Sequence, residues 1–199
     1  MEKEGQKLTT GLDGIIGAAS TLRDKAPPVN QWNPPYCGDI DMRIARDGTW
    51  FYQGTPIGRP ALVKLFASVL KREEERYFLV TPVEKCGITV DDVPFVAVEL
   101  DIDDHPAGRR LRFRTNVDDW VACGPGHALR FESDAATAGL RPYIHVRRGL
   151  WARVSRPLYY DLVHLGEERD EGGARMFGVT SAGVFYAMAP AEHLKDAIP

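Results

Sequence analysis

Two stretches of this chain repeat one another. Arg46-Asp47-Gly48-Thr49-Trp50 lines up with Arg147-Arg148-Gly149-Leu150-Trp151, 101 positions further on, and Pro56 meets Pro157 at the same offset. After a one-residue gap Leu62-Val63-x-Leu65 meets Leu162-Val163-x-Leu165. After another, Arg76-x-Phe78-x-Val80-Thr81 meets Arg175-x-Phe177-x-Val179-Thr180. The order is kept, and the shared residue types are those that a small unit needs. Gly turns a hairpin, Trp packs beneath it, Pro opens a helix, and Leu-Val-x-Leu supplies the helix with an apolar stripe. This pattern predicts an α+β fold of two repeated β-β-α-β modules packed against each other. The expected boundaries are an N-terminal helix and Pro-rich arm over 1–37, a first module over 38–108 and a second over 109–199. Clefts between such modules commonly take ligands.

The elements follow from periodicity. Leu12, Ile15, Ile16 and Ala19 predict an amphipathic helix over Lys7–Arg23, although each interspersed Gly costs it about 1 kcal/mol. Pro27, Pro28, Pro34 and Pro35 then exclude both helix and central strand, leaving an extended arm anchored by Trp32. Asp39 to Ile44 alternates polar and apolar, Asp47-Gly48 turns, and Thr49 to Tyr52 returns. Leu62, Leu65, Phe66, Val69 and Leu70 recur at helical spacing, with the charged run Lys71–Glu75 as the helix end. Strands are expected at Tyr77–Val80, Ile88–Val90, Phe95–Asp101, 109–117 and Ala128–Glu132.

Composition narrows the classes. With 44% hydrophobic residues in a chain of 199, there is enough apolar surface for real cores. No apolar window reaches membrane-spanning length, and the opening residues carry no apolar signal segment. Cys37, Cys86 and Cys123 are odd in number and far apart, which fits neither a disulfide framework nor a metal knuckle. A reducing cytoplasm is the expected location. A net charge of −3 argues against a nucleic-acid polymer as partner. Within that charge Arg outnumbers Lys 18 to 7. Arg suits bidentate recognition of carboxylate or phosphate, while codon usage in a GC-rich genome yields the same imbalance.

Several constellations could carry chemistry. Arg110, Arg112 and Arg114 share one strand face, and Arg147 follows near the second module's hairpin. Together they would suit an anionic ligand, and alternatively they blunt an edge strand. Asp39, Asp41 and Glu84 offer carboxylates for a divalent cation, with solvated strand faces as the simpler explanation. Asp101, Asp103 and Asp104 read as a solvated acidic turn. His145, between Tyr143 and Arg147 on one strand face, is the histidine of interest, although no His spacing suits a metal. Thr81-Pro82-Val83-Glu84-Lys85 ends a buried strand, where polar loops often meet ligands. No nucleophile–base pair and no phosphate loop is visible.

Trp32-Asn33-Pro34-Pro35, Gly38-Asp39-Ile40-Asp41-Met42-Arg43-Ile44 and Arg46-Asp47-Gly48-Thr49-Trp50 together resemble a bacterial family, domain of unknown function 1285. Leu65-Phe66, Thr81 to Lys85, Arg114-Thr115-Asn116, Pro142-Tyr143 and Val146-Arg147 fit the same pattern, over roughly residues 28–190. The resemblance implies two α/β modules, the second superficially similar to a pleckstrin-homology barrel. It also implies a nucleotide-like ligand between them and a part in signal transduction. It assigns no catalytic residue. The expected function is therefore a non-enzymatic cytoplasmic protein that binds a small anionic ligand, without cofactor or metal. The expected contacts are Thr81, Glu84, Lys85, Arg114, Asn116, Tyr143 and Arg147. Arg114, Arg147 and Lys85 would hold phosphate while Tyr143 stacks on a ring. The alternatives are a metal-dependent hydrolase using Asp39, Asp41 and Glu84, or a protein-interaction adaptor docking through the arm and Trp32.

Overall fold

Alternating strands dominate the chain, and a computed structural model describes residues 14–17, 27–134 and 139–194. The helix expected over Lys7–Arg23 lies outside the described residues except at 14–17, which are helical, with Ile15 buried. The chain divides into two compact units, Met1–Asp92 and Val93–Pro199. The division falls ahead of Phe95–His105 rather than after residue 108. That strand pairs along its length with Gly108–Thr115, so hydrogen bonding assigns it to the second unit.

In the first unit, strands β1 (Tyr36–Ile44), β2 (Trp50–Tyr52) and β3 (Thr55–Pro56) precede helix α1 (Pro60–Ser68). Strands β4 (Leu70–Glu73), β5 (Arg76–Val80) and β6 (Lys85–Val90) follow. All six strands form one sheet, ordered β3-β2-β1-β6-β5-β4, joined at its centre by the parallel β1–β6 pair. Met42, Ile44, Trp50, Phe66, Leu70 and Leu79 are buried, and Trp50 stacks on Phe66 at 6.1 Å. The arm begins with a 3-10 turn, Val29–Gln31. Trp32 packs against Val29, Phe78 and Val80, so the expected anchor engages its own unit. The charged run 71–75 does not end the helix. Leu70 and Leu79 pair across β4–β5, and the run turns at Glu74, whose φ is 54°.

In the second unit, β7 (Phe95–His105), β8 (Gly108–Thr115), β9 (Trp120–Ala122), β10 (Leu129–Asp134), β11 (Gly139–Arg147) and β12 (Leu150–Val154) form a six-stranded sheet. Its order is β10-β11-β12-β7-β8-β9. Helix α2 (Arg156–His164) leads to a separate three-stranded sheet of β13 (Glu167–Glu171), β14 (Ala174–Ser181) and β15 (Val184–Pro190). Leu111, Phe113, Ile144, Leu150, Ala152, Leu162 and Val179 are buried. Asp101, Asp103 and Asp104 belong to β7 rather than to a turn.

The repeat survives as an element order: hairpin, Pro-led helix, three-stranded meander. The hairpin glycines, Gly48 and Gly149, have φ of 83° and 74°, a region that side chains disfavour. The helix register differs from the expected alignment. Pro56 lies in β3, and it is Pro60 that opens α1 as Pro157 helps open α2. Phe66 and Leu162 are the corresponding buried residues, each seventh in its helix. The chain is mostly β with two modules, and its helical share is smaller than an α+β fold implies. No helix among the described residues is long and apolar enough to cross a membrane.

Candidate functional site

Within the second unit the Arg-rich strand meets its counter-charge inside the same hairpin. The two-residue turn at 106–107 places His105 opposite Gly108, and the ladder then sets Asp103 against Arg110, Asp101 against Arg112 and Glu99 against Arg114. Arg110 donates two hydrogen bonds to Asp103, at 2.8 and 2.7 Å. The Arg110 hydrogen bond holds the Asp103 carboxyl below the usual carboxylate range, against the opposing effect of desolvation. Arg112 reaches Asp101 at 3.5 Å and lies 5.0 Å over the ring of Trp120. The repulsion that a row of three guanidinium groups would suffer is thus cancelled across the strands.

Two expected site residues converge on one turn. Thr115 Oγ1 accepts the Asp119 N–H at 3.1 Å, and the Asp118 N–H bonds to the Thr115 carbonyl at 2.9 Å. Asp118 has a φ of 66°, so the turn presents two successive carboxylates. Arg114 donates to Glu99 at 2.6 Å and to Asp118 at 2.8 Å. Arg147 donates to Asp119 and rests 5.1 Å over the Phe95 ring. The two guanidinium groups are 34% and 26% exposed, and their carboxylates on the turn 49% and 42%. Asn116 lies in the same turn but acts on the backbone. Its Oδ1 accepts the Val96 N–H at 3.1 Å and its own N–H bonds to the Val96 carbonyl at 2.8 Å.

Tyr143 does not offer a stacking surface. It is 1% exposed, with the Arg130 guanidinium 5.0 Å from its ring centroid and 4.2 Å from that of Trp151. His145 bridges two loops. Its Nδ1 lies 3.1 Å from the Gly126 carbonyl, and its Nε2 accepts the Gly149 N–H at 3.2 Å.

In the first unit the expected loop residues turn inward. Thr81 is fully buried, and its Oγ1 accepts the Glu84 N–H at 3.2 Å while its N–H bonds to the Glu84 carbonyl at 2.9 Å. Glu84 is buried in that turn. Lys85 pairs with Glu73 at 2.9 Å and lies 5.0 Å over Phe78. Lys71 also reaches Glu73 at 2.9 Å, and the hydrogen bonds from Lys71 and then Lys85 hold the Glu73 carboxyl below the usual range. Asp39 accepts hydrogen bonds from Arg76 at 2.7 Å and Tyr36 at 2.8 Å. Asp39, Asp41 and Glu84 do not assemble as a cation site. Among the described residues no group of three His, Cys, Asp or Glu side chains could hold a metal ion.

The sequence reading missed the acidic partners Glu99, Asp118 and Asp119. It also missed Ser181, which is fully buried, accepts the Leu111 N–H at 2.9 Å and donates to the Cys123 carbonyl at 2.8 Å. Glu99 was signalled by period-two charge on both sides of the 106–107 turn, whereas Asp118 and Asp119 lie in the turn after β8, outside that alternation. Ser181 carries no local signal, because its partners lie 58 and 70 residues away.

The same two-part organisation appears in known relatives. The N-terminal domain model of the domain of unknown function DUF1285 matches residues 27–93, and the DUF1285 C-terminal domain model matches 94–188. The crystal structure of a DUF1285 family protein from Silicibacter pomeroyi is similar at 50% identity and a TM-score of 0.84, covering 93% of this chain and 100% of that one. A DUF1285 family protein from Shewanella baltica is similar at 29% identity and a TM-score of 0.50, covering 63% of this chain and 91% of that one. No curated protein matches the chain. Both family models, end to end, account for most of the sequence and divide it within one residue of the boundary between the two compact units: the chain belongs to the DUF1285 family.

Proposed function

We propose that this chain is a non-enzymatic binding protein for a small phosphate-bearing, nucleotide-like anion, serving in signal transduction, with Arg114 and Arg147 as the anion-holding groups. The observation that carries the reading is their convergence. Two guanidinium groups 33 positions apart in the sequence meet at the single turn 115–119. Guanidinium forks match phosphate as well as carboxylate, and both pairs on the turn are partly exposed. A phosphate therefore competes with Asp118 and Asp119 for donors that are already aimed. A second unit resembling a pleckstrin-homology barrel belongs to the same reading, as a strand-built binding module. The reading rests on the second unit alone, because Thr81, Glu84 and Lys85 are engaged within the first.

A thermal-shift screen of nucleotides tests it. A ligand present at 100 times its Kd stabilises the folded chain by about 2.7 kcal/mol, enough to raise Tm by a few degrees. The expected result is such a rise for at least one nucleotide, lost in Arg147→Ala and in Arg114→Ala. No rise with any nucleotide at millimolar concentration, or a rise that both variants retain, contradicts the reading.

A further inference from the structure

The parallel β1–β6 pair places two thiols beside each other. Tyr36 is the partner of Lys85 and Asp39 the partner of Gly87, so Cys37 and Gly38 share Cys86 as their neighbour across the strands. The irregularity lies at Gly38, whose φ is 101°. Tyr36 and Asp39 are hydrogen-bonded on one face, where a Cβ on Gly87 would meet Asp39 Oδ1 at 1.8 Å. Side chains alternate along a strand, so Cys37 and Cys86 fall together on the opposite face. Neighbouring strands are about 4.8 Å apart, within the Cα separation of about 4.4–6.8 Å that a disulfide spans. Both thiols are free, Cys37 exposed and Cys86 buried.

We propose that Cys37 and Cys86 are a redox pair, oxidised by a low-molecular-weight disulfide to a cross-strand bond that ties β1 to β6. The Cys37 thiolate attacks the small disulfide RSSR, whose S–S bond breaks as Cys37–S–S–R forms and one RS⁻ leaves to take a proton. The Cys86 thiolate then attacks Cys37 Sγ and releases the second RS⁻, which is protonated in turn. Two protein thiols are oxidised and RSSR is reduced to two RSH. The exposed thiol receives the oxidant and the buried one resolves the adduct. Burial first, and then the nearby Glu84 carboxylate and Cys37, push the Cys86 thiol up to about 11. Ring closure is therefore slow at neutral pH, and its rate rises about tenfold per pH unit until Cys86 ionises.

The full-length chain is incubated with oxidised glutathione, alkylated after denaturation, and mapped by mass spectrometry. The expected product has lost two hydrogens, and Cys37 and Cys86 disappear together from the alkylated pool while Cys123 remains. Dithiothreitol reverses the change, and Cys86→Ser stops at one glutathionyl group on Cys37. Wild-type chain that, after prolonged incubation at about pH 9 where closure is faster, keeps a glutathionyl group on Cys37 with Cys86 still open to alkylation overturns the proposal. So does a Cys37 that never reacts. The wild-type map decides the matter even where the variant fails to fold.

Discussion

At the scale of single residues, the polar groups that matter are those whose partners are fixed by geometry. Ser181 is one. It satisfies the Leu111 amide and the Cys123 carbonyl at a place where water does not reach. Ser181→Ala leaves both unsatisfied and is expected to cost about 1–3 kcal/mol, read by urea denaturation. His145 is another. A carbonyl only accepts and an amide N–H only donates, so its contacts to Gly126 and Gly149 require the neutral tautomer with the proton on Nδ1. The ¹⁵N shifts of the ring are expected to report that tautomer, and a protonated Nε2 in the neutral ring contradicts it. Glu73 sets a pH dependence. Its folded carboxyl titrates below its ordinary value of 4.5, so its stabilising effect is complete above that value and fades as pH falls through the lower folded one. Glu73→Gln is expected to flatten that part of the acid-denaturation profile. Of these three, only His145 stood out in the sequence, because the partners of Ser181 lie 58 and 70 residues away and Glu73 draws Lys85 from another strand as well as Lys71 from its own.

Elements show where local pattern suffices and where it fails. The charge ladder was legible in principle: Glu99, Asp101 and Asp103 lie as far before the 106–107 turn as Arg114, Arg112 and Arg110 lie after it. Reading the acids as a loop hid the pairing. The hairpin and meander of each module followed from alternation and turn residues, whereas helix register did not, since two prolines lie within four positions of each other at 56 and 60. The glycines sharpen the contrast. A Cβ at Gly178 meets the Tyr186 carbonyl at 2.3 Å and Ala187 Cα at 2.9 Å, which are backbone atoms of the paired strand. Gly178→Ala therefore forces β14 from β15 and is expected to cost about 1–3 kcal/mol or more. At Gly87 the obstacle is the carboxyl end of the exposed Asp39 side chain, with no backbone atom among the nearest contacts. Gly87→Ala is expected to break the Asp39–Arg76 pair with little loss of stability, the two variants being compared by the same denaturation.

At the scale of the whole molecule, the sequence repeat announced two modules, and the chain has two units. The boundary was misplaced because β7 looks, in isolation, like one more strand of the first repeat, and only its ladder with β8 assigns it to the second. The candidate site was half legible. Arg114 and Arg147 meet at one turn, while Lys85, Thr81 and Tyr143 are committed to their own surroundings. The central claim is that the turn 115–119 holds its two guanidinium groups for exchange with a phosphate. Calorimetric titration of pyrophosphate into wild-type chain and into an Asp118→Asn, Asp119→Asn double variant tests this most directly. If Asp118 and Asp119 compete with the ligand, the double variant binds pyrophosphate at least about tenfold more tightly, a gain of about 1.4 kcal/mol. Equal affinity in the two proteins, or no heat of binding in either, contradicts the claim.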